Sequence, residues 1–301
     1  MTQFQHICLL DETNLIPEAI EQLTMLSAQV TVCKGYPSST DDILSRIGDA
    51  DCMLVSWNTK VSAEVIDQAP HLQYIGMCCS LLDEASANVD IAAARAKGIV
   101  VKGVKDYGDE GVVEFVFSEI IRLVGGLGDA QWKPQATEIS GKTLGIIGFG
   151  ALGSRIATVA TAFGMRVLYY SRTRKRAQES ENVTYQALNE LLSESDIVTT
   201  HLPRGVKLLG KSEFELTRPD CILVNTSLGP TYEIDAFLSW LQRDNHWAIL
   251  DQDGAMGMAS SHLEQERILF TDQVVGMTDR AYHRLSEKVL RTLKDYLADA
   301  N

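Results

Sequence analysis

Positive charge is scarce in this chain. Its 301 residues carry 27 Lys and Arg against 40 Asp and Glu, a net charge of −13, and the isoelectric point is near 4.9. Such a surface repels phosphate backbones and anionic lipid, so neither nucleic acid nor a membrane is an expected partner. Long apolar runs are missing too, none approaching the ~20 residues of a membrane span. Met1–Gln5 has no basic residue and Ile7–Leu10 is too short for a signal core, so a cytoplasmic location is expected. Six cysteines occur (Cys8, Cys33, Cys52, Cys78, Cys79 and Cys221), never as C-x-x-C. They lie in or beside strand-like apolar runs, which reads as reduced core thiols rather than a disulfide framework. For the adjacent pair Cys78–Cys79 a redox role is the lesser reading. His6, His71, His246 and His262 show no metal-ligand spacing and H-E-x-x-H is absent, so no metal is expected. Neither repeats nor low-complexity segments occur.

What is present is a sizeable apolar fraction, 45% of the residues, enough for two domains. The chain is organised around Thr143–Gly153. An apolar strand, Leu144–Ile147, ends at Gly148. The pattern Gly148-Phe149-Gly150-Ala151-Leu152-Gly153 then opens a helix with apolar Ile156, Val159, Ala160 and Phe163, and a second strand, Val167–Tyr170, follows. Strand, glycine turn, helix and strand in this order form a dinucleotide fingerprint. Gly148 makes the tight turn, Gly150 admits a pyrophosphate to the positive helix N-terminus, and Gly153 lets helix and strand pack closely.

The end of the second strand is where the ribose is read. Instead of Asp or Glu it carries Ser171, Arg172, Thr173 and Arg174, with Lys175 and Arg176 following. A neutral residue removes repulsion against a 2′-phosphate, and arginine grips phosphate with paired hydrogen bonds. NADP(H) is therefore expected over NAD(H); the alternative is a solvated basic turn.

The remainder alternates strand and helix. Candidate strands are His6–Leu10, Val30–Cys33, Cys52–Ser56, Tyr74–Met77 and Ile99–Val101, with helices at Pro17–Ser27, Asp41–Ile47, Ser62–Ala69 and Asp90–Lys97. Glu110–Val124 is an apolar helix carrying the chain onward. Further strands follow at Ile197–Thr200, Cys221–Asn225, Trp247–Leu250 and Ile268–Thr271, and a terminal helix spans Thr278–Ala300. The expected class is α/β: two Rossmann-like doubly wound parallel sheets with a cleft between them. Residues 1–108 with 280–301 would form a discontinuous, flavodoxin-like substrate or lid domain, and 109–279 the dinucleotide-binding domain.

An ordered series of segments resembles the D-isomer-specific 2-hydroxyacid dehydrogenases, the family of glyoxylate and hydroxypyruvate reductases and phosphoglycerate dehydrogenase. The segments are Thr59–Val65, Asn88-Val89-Asp90 with Ala92–Val100, Val112-Val113-Glu114, Gly141–Gly150, Ser195–Val198 with His201-Leu202-Pro203, and Asn225-Thr226-Ser227. The resemblance implies a homodimer paired through the cofactor domain, a pairing the short 126–141 arm could weaken. It places His201, Leu202, Pro203, Thr226 and Ser227 near the cofactor and turns Asp251 toward the nicotinamide amide. It also places Cys78, Cys79, Ser80 and Leu81 at the substrate pocket, in a loop longer than the family's and without its internal glycines.

The family reduces 2-keto acids with an arginine that binds the carboxylate, a histidine that gives the proton, and a glutamate that holds the histidine protonated. At the matching positions stand Leu228, Gly254 and Gln273. Leucine cannot pair with a carboxylate, glycine supplies no charge, and glutamine delivers no proton at neutral pH. A protein that keeps its cofactor motif and loses this set reads first as an NAD(P)-binding sensor or regulator. The alternative is an active NAD(P)H-dependent oxidoreductase with a relocated acid and a different substrate. Candidates for that acid are Asp272, Asp253, Lys105, Tyr107, Tyr282 and His283.

Overall fold

A computed structural model describes residues 3–81 and 84–299. The chain divides into two compact units, Met1–Tyr107 with Thr278–Asn301, and Gly108–Met277.

The first unit runs β1 (Phe4–Leu9), α1 (Pro17–Leu23), β2 (Ser27–Val32), α2 (Thr40–Ile47), β3 (Cys52–Val55), α3 (Ala63–Gln68), β4 (Tyr74–Ser80), α4 (Ile91–Ala96) and β5 (Val100–Val104). All strand pairs are parallel, in the order β2-β1-β3-β4-β5. The helix expected at Pro17–Ser27 stops at Leu23, because Ser27 already pairs with Phe4 in the sheet. Ser39, Ser62 and Asp90 cap α2, α3 and α4 by accepting backbone N–H bonds.

The second unit contains α5 (Asp109–Gly125), β6 (Thr143–Ile147), α6 (Ala151–Ala162), β7 (Arg166–Tyr170), β8 (Val183–Tyr185), α7 (Leu188–Glu194), β9 (Ile197–Thr200), α8 (Lys211–Phe214), β10 (Ile222–Asn225), α9 (Ile234–Leu241), β11 (Trp247–Leu250), α10 (Ser260–Leu263) and β12 (Ile268–Phe270). Its seven strands are parallel in the order β12-β11-β10-β9-β6-β7-β8. Helix α11 (Asp279–Asp299) then belongs to the first unit. Both sheets are doubly wound, with helices on each face.

Each sheet separates two cores. In the first unit, one face packs Cys8, Met53, Ile75 and Cys79 against α2, α3 and α4. The other packs Phe4, Leu9, Tyr74 and Cys78 against α1 and α11. In the second unit α5 and α6 cover one face and α7, α8 and α9 the other. Five of the six thiols are buried, and Cys33 is the half-buried exception. Phe163, expected inside the α6 stripe, caps that helix at 43% exposure and stacks on Phe117. Among the described residues no helix is long and apolar enough to cross a membrane, and no three His, Cys, Asp or Glu side chains gather as metal ligands.

Candidate functional site

The glycine turn takes its shape from what surrounds each glycine. Gly148 has φ +102°, and a Cβ there would meet the His201 carbonyl at 2.1 Å. A Cβ on Gly153 would meet the Gly148 carbonyl at 2.3 Å. Both positions exclude side chains because backbone lies against them. Gly150 differs: nothing lies within 4 Å of its added Cβ. It is the N-cap of α6, and no side chain caps that helix. An open glycine before an uncapped helix N-terminus suits an anion such as a pyrophosphate. Ala151 is exposed and Leu152 half-buried, while Phe149 turns inward and stacks on Tyr169 with ring centroids 4.0 Å apart. Phe149 can therefore contribute only backbone at the turn.

The basic loop after β7 is partly committed. Arg174 makes two 2.7 Å bonds to Glu179, and its guanidinium lies over the Tyr185 ring. The Tyr169 hydroxyl donates to Glu179 and accepts from the Lys175 N–H. Donation from Arg174, then from Tyr169, holds the Glu179 carboxyl down at about 2. The Ser171 hydroxyl donates to the Thr173 carbonyl. Arg172 is exposed, and no described residue pairs with it. Sequence reasoning passed over Tyr169 and Glu179; the signal was a carboxylate just beyond a basic run.

Three loops at the carboxyl ends of β9, β10 and β11 are bonded into one rim. Buried Asn225 is the hub: its amide donates to the Gly229 and Gly254 carbonyls, and its Oδ1 accepts from Thr200 Oγ1 and the Ser227 N–H. Ser227 Oγ donates to the Thr200 carbonyl and accepts from the Leu202 N–H. The Gly229 N–H donates to the Asp253 carbonyl. Pro203 follows Leu202 on this rim, half-buried like it. On the rim, His201 Nε2 bonds Thr199 Oγ1 at 2.9 Å, while its Nδ1 is enclosed without a partner. Burial pushes the imidazole down to about 3, so His201 is neutral at physiological pH and is no proton donor. Thr226 Oγ1 is likewise enclosed and unpaired.

Asp251 is 2% exposed and turned inward, accepting the Gly254 N–H at 2.8 Å and the Val275 N–H at 3.4 Å. Burial raises its carboxyl to about 6 against those bonds. Two residues on, Asp253 is 7% exposed; burial raises its carboxyl, opposed by Arg204. Leu228 is 36% exposed on the loop after β10. Gly254 has no room for a side chain, since an added Cβ would lie 1.9 Å from the Asn225 carbonyl oxygen. Gln273 is exposed, and its carbonyl accepts the Gln252 N–H.

In the first unit, Cys78 and Cys79 point into opposite cores of β4. Burial drives both thiols up, Cys79 to about 12, so neither is a ready nucleophile. Their side chains are core rather than pocket lining, and only Ser80 and Leu81 are half-exposed. Nearby, unflagged in the sequence, buried Asp11 accepts bonds from the Ser56 N–H, Ser56 Oγ and Thr59 Oγ1, tying β1 to β3. Of the relocated-acid candidates, Lys105, Tyr107, Tyr282 and His283 belong to the first unit. Tyr107 and Lys105 hold Arg284 and Lys288 through their carbonyls. Asp253 and Asp272 belong to the second unit, and only Asp253 is buried.

Residues 120–256 match the family model described as D-isomer specific 2-hydroxyacid dehydrogenase, NAD binding domain. The glyoxylate reductase of Aeropyrum pernix is 32% identical over 249 residues, spanning 76% of this chain and 73% of that protein. An acyclic imino acid reductase, solved in complex with NADPH and D-Arg, matches with a TM-score of 0.85 at 22% identity over 98% of both chains. The D-lactate dehydrogenase of Aquifex aeolicus, solved with NAD and lactic acid, gives 0.79 at 23% identity over 98% of this chain and 96% of that one. At those identities the two structures establish a shared fold.

Proposed function

Because the chain belongs to the D-isomer specific 2-hydroxyacid dehydrogenase family, we propose that it binds a nicotinamide dinucleotide on the Gly148–Gly153 turn without performing the 2-keto acid reduction of its relatives. The observation that carries this reading is Gly254. With the Asn225 carbonyl 1.9 Å from where its Cβ would be, no glutamate fits at the position that would hold a histidine protonated. Leu228 and Gln273 complete the loss, since neither a carboxylate anchor nor a proton donor stands at the other two positions. A bound cofactor would supply hydride; the chain would supply the anion cradle at Gly150 and the rim at His201, Leu202, Thr226 and Ser227.

NADP(H) is the preferred form in this reading. Ser171 supplies no negative charge against a 2′-phosphate, and Arg172 is available to it. Arg174 serves instead to shape the loop through Glu179. Such a protein acts as a cofactor-dependent sensor or regulator in the cytoplasm, as a dimer. A second reading, an active oxidoreductase on a different substrate, is favoured by one observation, the buried Asp253 carboxyl one residue before Gly254.

Calorimetric titration with NADPH and NADH, followed by assays on glyoxylate and hydroxypyruvate, tests the proposal. Micromolar NADPH binding, weaker NADH binding and no turnover are expected. Robust turnover of either keto acid would overturn it.

A further inference from the structure

Three neighbouring strands of the second sheet, β11, β10 and β9, each run into a loop bearing a buried polar group without a hydrogen-bond partner among the described residues. These are the Asp253 carboxyl, Thr226 Oγ1 and His201 Nδ1. Buried polar groups in folded proteins are as a rule paired, and one left alone calls for an explanation; Tyr74, His246, Trp247 and His262 also hold an enclosed atom without a partner, outside these three loops. Three on adjacent loops, at the sheet edge where open α/β folds take their ligands, have a common one: the missing partner is a ligand. The loops are already cross-bonded through Asn225, Ser227 and the Gly229–Asp253 bond, so local rearrangement to satisfy these groups is costly.

The charge of this rim is reversed relative to a carboxylate-binding site. Leu228, Gly254 and Gln273 carry no charge, while Asp251 and Asp253 are buried beside them. Asp251 spends both oxygens on the Gly254 and Val275 N–H groups. Arg204 acts on Asp253 and opposes the rise that burial gives its carboxyl. A 2-keto carboxylate would meet the buried Asp253 carboxyl here, which makes no hydrogen bond to a described residue, at the cost of like-charge repulsion in a poorly solvated place.

The geometry points to Asp253 as the docking group for a protonated nitrogen, so that this rim takes iminium or ammonium compounds in place of 2-keto acids. This rests on the cofactor-binding reading above and explains why the lost acid has no replacement. Hydride added to a carbonyl carbon drives the C=O π pair onto oxygen, and the alkoxide needs a proton from a nearby acid. Hydride from a reduced nicotinamide, added to the carbon of a protonated C=N bond, drives that π pair onto a nitrogen already bearing its substituent or proton. The products are a neutral amine and the oxidised nicotinamide, and no protein group gives up a proton. Asp253 would pair with the positive nitrogen and Leu228 would offer apolar surface, while Thr226 and His201 stay with the cofactor.

The test uses calorimetry on the full chain. It is first saturated with the tetrahydronicotinamide analogue of NADPH, which cannot donate hydride, and then titrated with an N-methyl dihydroisoquinolinium salt and, separately, with glyoxylate. The iminium is expected to bind, and glyoxylate to bind at least about tenfold more weakly. Asp253→Asn should weaken the iminium by about ten- to a hundredfold, the worth of one charge-assisted bond, with analogue affinity unchanged. Absence of iminium binding, equal or tighter glyoxylate binding, or full iminium affinity in a folded Asp253→Asn protein would overturn the assignment. If the variant does not fold, the contrast between the two ligands in the unmodified chain decides. Failure of the analogue itself to bind counts against the cofactor reading instead; the two ligands are then titrated into the chain alone under the same criteria.

Discussion

At the scale of single residues, Gly254 constrains what substitution can recover. On the proposed reading, Leu228→Arg with Gln273→His would return two of the three family groups, yet the histidine would have no carboxylate to keep it charged. We expect this double variant to show no glyoxylate reduction above background, and Gly254→Glu to unfold rather than rescue it. Recovery of activity in the double variant, followed with NADPH absorbance, would mean the rim can reorganise. His201 gives a pH prediction. Burial lowers its folded pKa from 6.5 to about 3, so on acidification below 6.5 the unfolded chain gains a proton that the native state refuses. Stability is therefore lost as pH falls from 6.5 toward 3. Asp251, raised from 3.8 to about 6, runs the other way: the native state keeps a proton that the unfolded chain releases, costing stability as pH rises through that window. Since Asp251 is common to both proteins, His201→Gln should lose about 2 kcal/mol less than the unmodified chain between pH 7 and 5. Urea unfolding at the two pH values measures this, and parallel pH profiles would refute it.

At the scale of elements, the glycine turn separates stability from binding. Gly153→Ala pushes a methyl into the Gly148 carbonyl and should cost about 1–3 kcal/mol or more. Gly150→Ala meets nothing and adopts an extended backbone that alanine tolerates, so thermal stability should stay within about 0.5 kcal/mol. Its cofactor affinity should nonetheless fall by about tenfold, because the methyl occupies the pyrophosphate approach. Equal affinity in Gly150→Ala would mean that nothing binds over the turn. The loop after β7 makes a parallel claim: Arg172→Ala should weaken NADPH by about tenfold and leave NADH unchanged, whereas Arg174→Ala should change the NADPH preference little. The turn was legible because backbone contacts dictate glycine at Gly148 and Gly153 wherever strand, turn and helix meet. The Arg174–Glu179 pairing is not legible in the sequence, because it is set by loop conformation, which a run of basic residues does not specify. The short elements β8, α7, α8, α9 and α10 escaped notice because three to eight residues give too little periodicity to separate them from loops. The family resemblance places Cys78 and Cys79 at a pocket by motif order alone. Alternation along β4 sends adjacent side chains to opposite faces, and both faces here are core.

At the scale of the whole molecule, the chain passes between its units at Tyr107–Gly108 and again at Met277–Thr278, so the first unit is completed by a helix that follows the second. That helix is not an accessory. Leu285, Val289, Leu290, Leu293 and Leu297 of α11 are each at most 7% exposed and close the core that holds Phe4, Tyr74 and Cys78. Tyr296 also stacks on Phe4 and leans on Tyr74. At about 1.5–3 kcal/mol for each fully buried aliphatic side chain, five such residues amount to about 7–15 kcal/mol, the size of an entire domain's stability. The cores of the second unit contain no residue from α11. A chain ended after Met277 should therefore lose the first unit and keep the second. In hydrogen exchange, amides of β6, β9 and β10 should stay protected while those of β1, β3 and β4 exchange freely. The shortened chain should still bind a dinucleotide at the Gly148 turn, since the residues that shape that turn all belong to the second unit. Retained protection in β1 and β4 would show that the first sheet holds on α1 to α4 alone. Loss of protection in β6 and β9 as well would show that the second unit depends on the first for its stability.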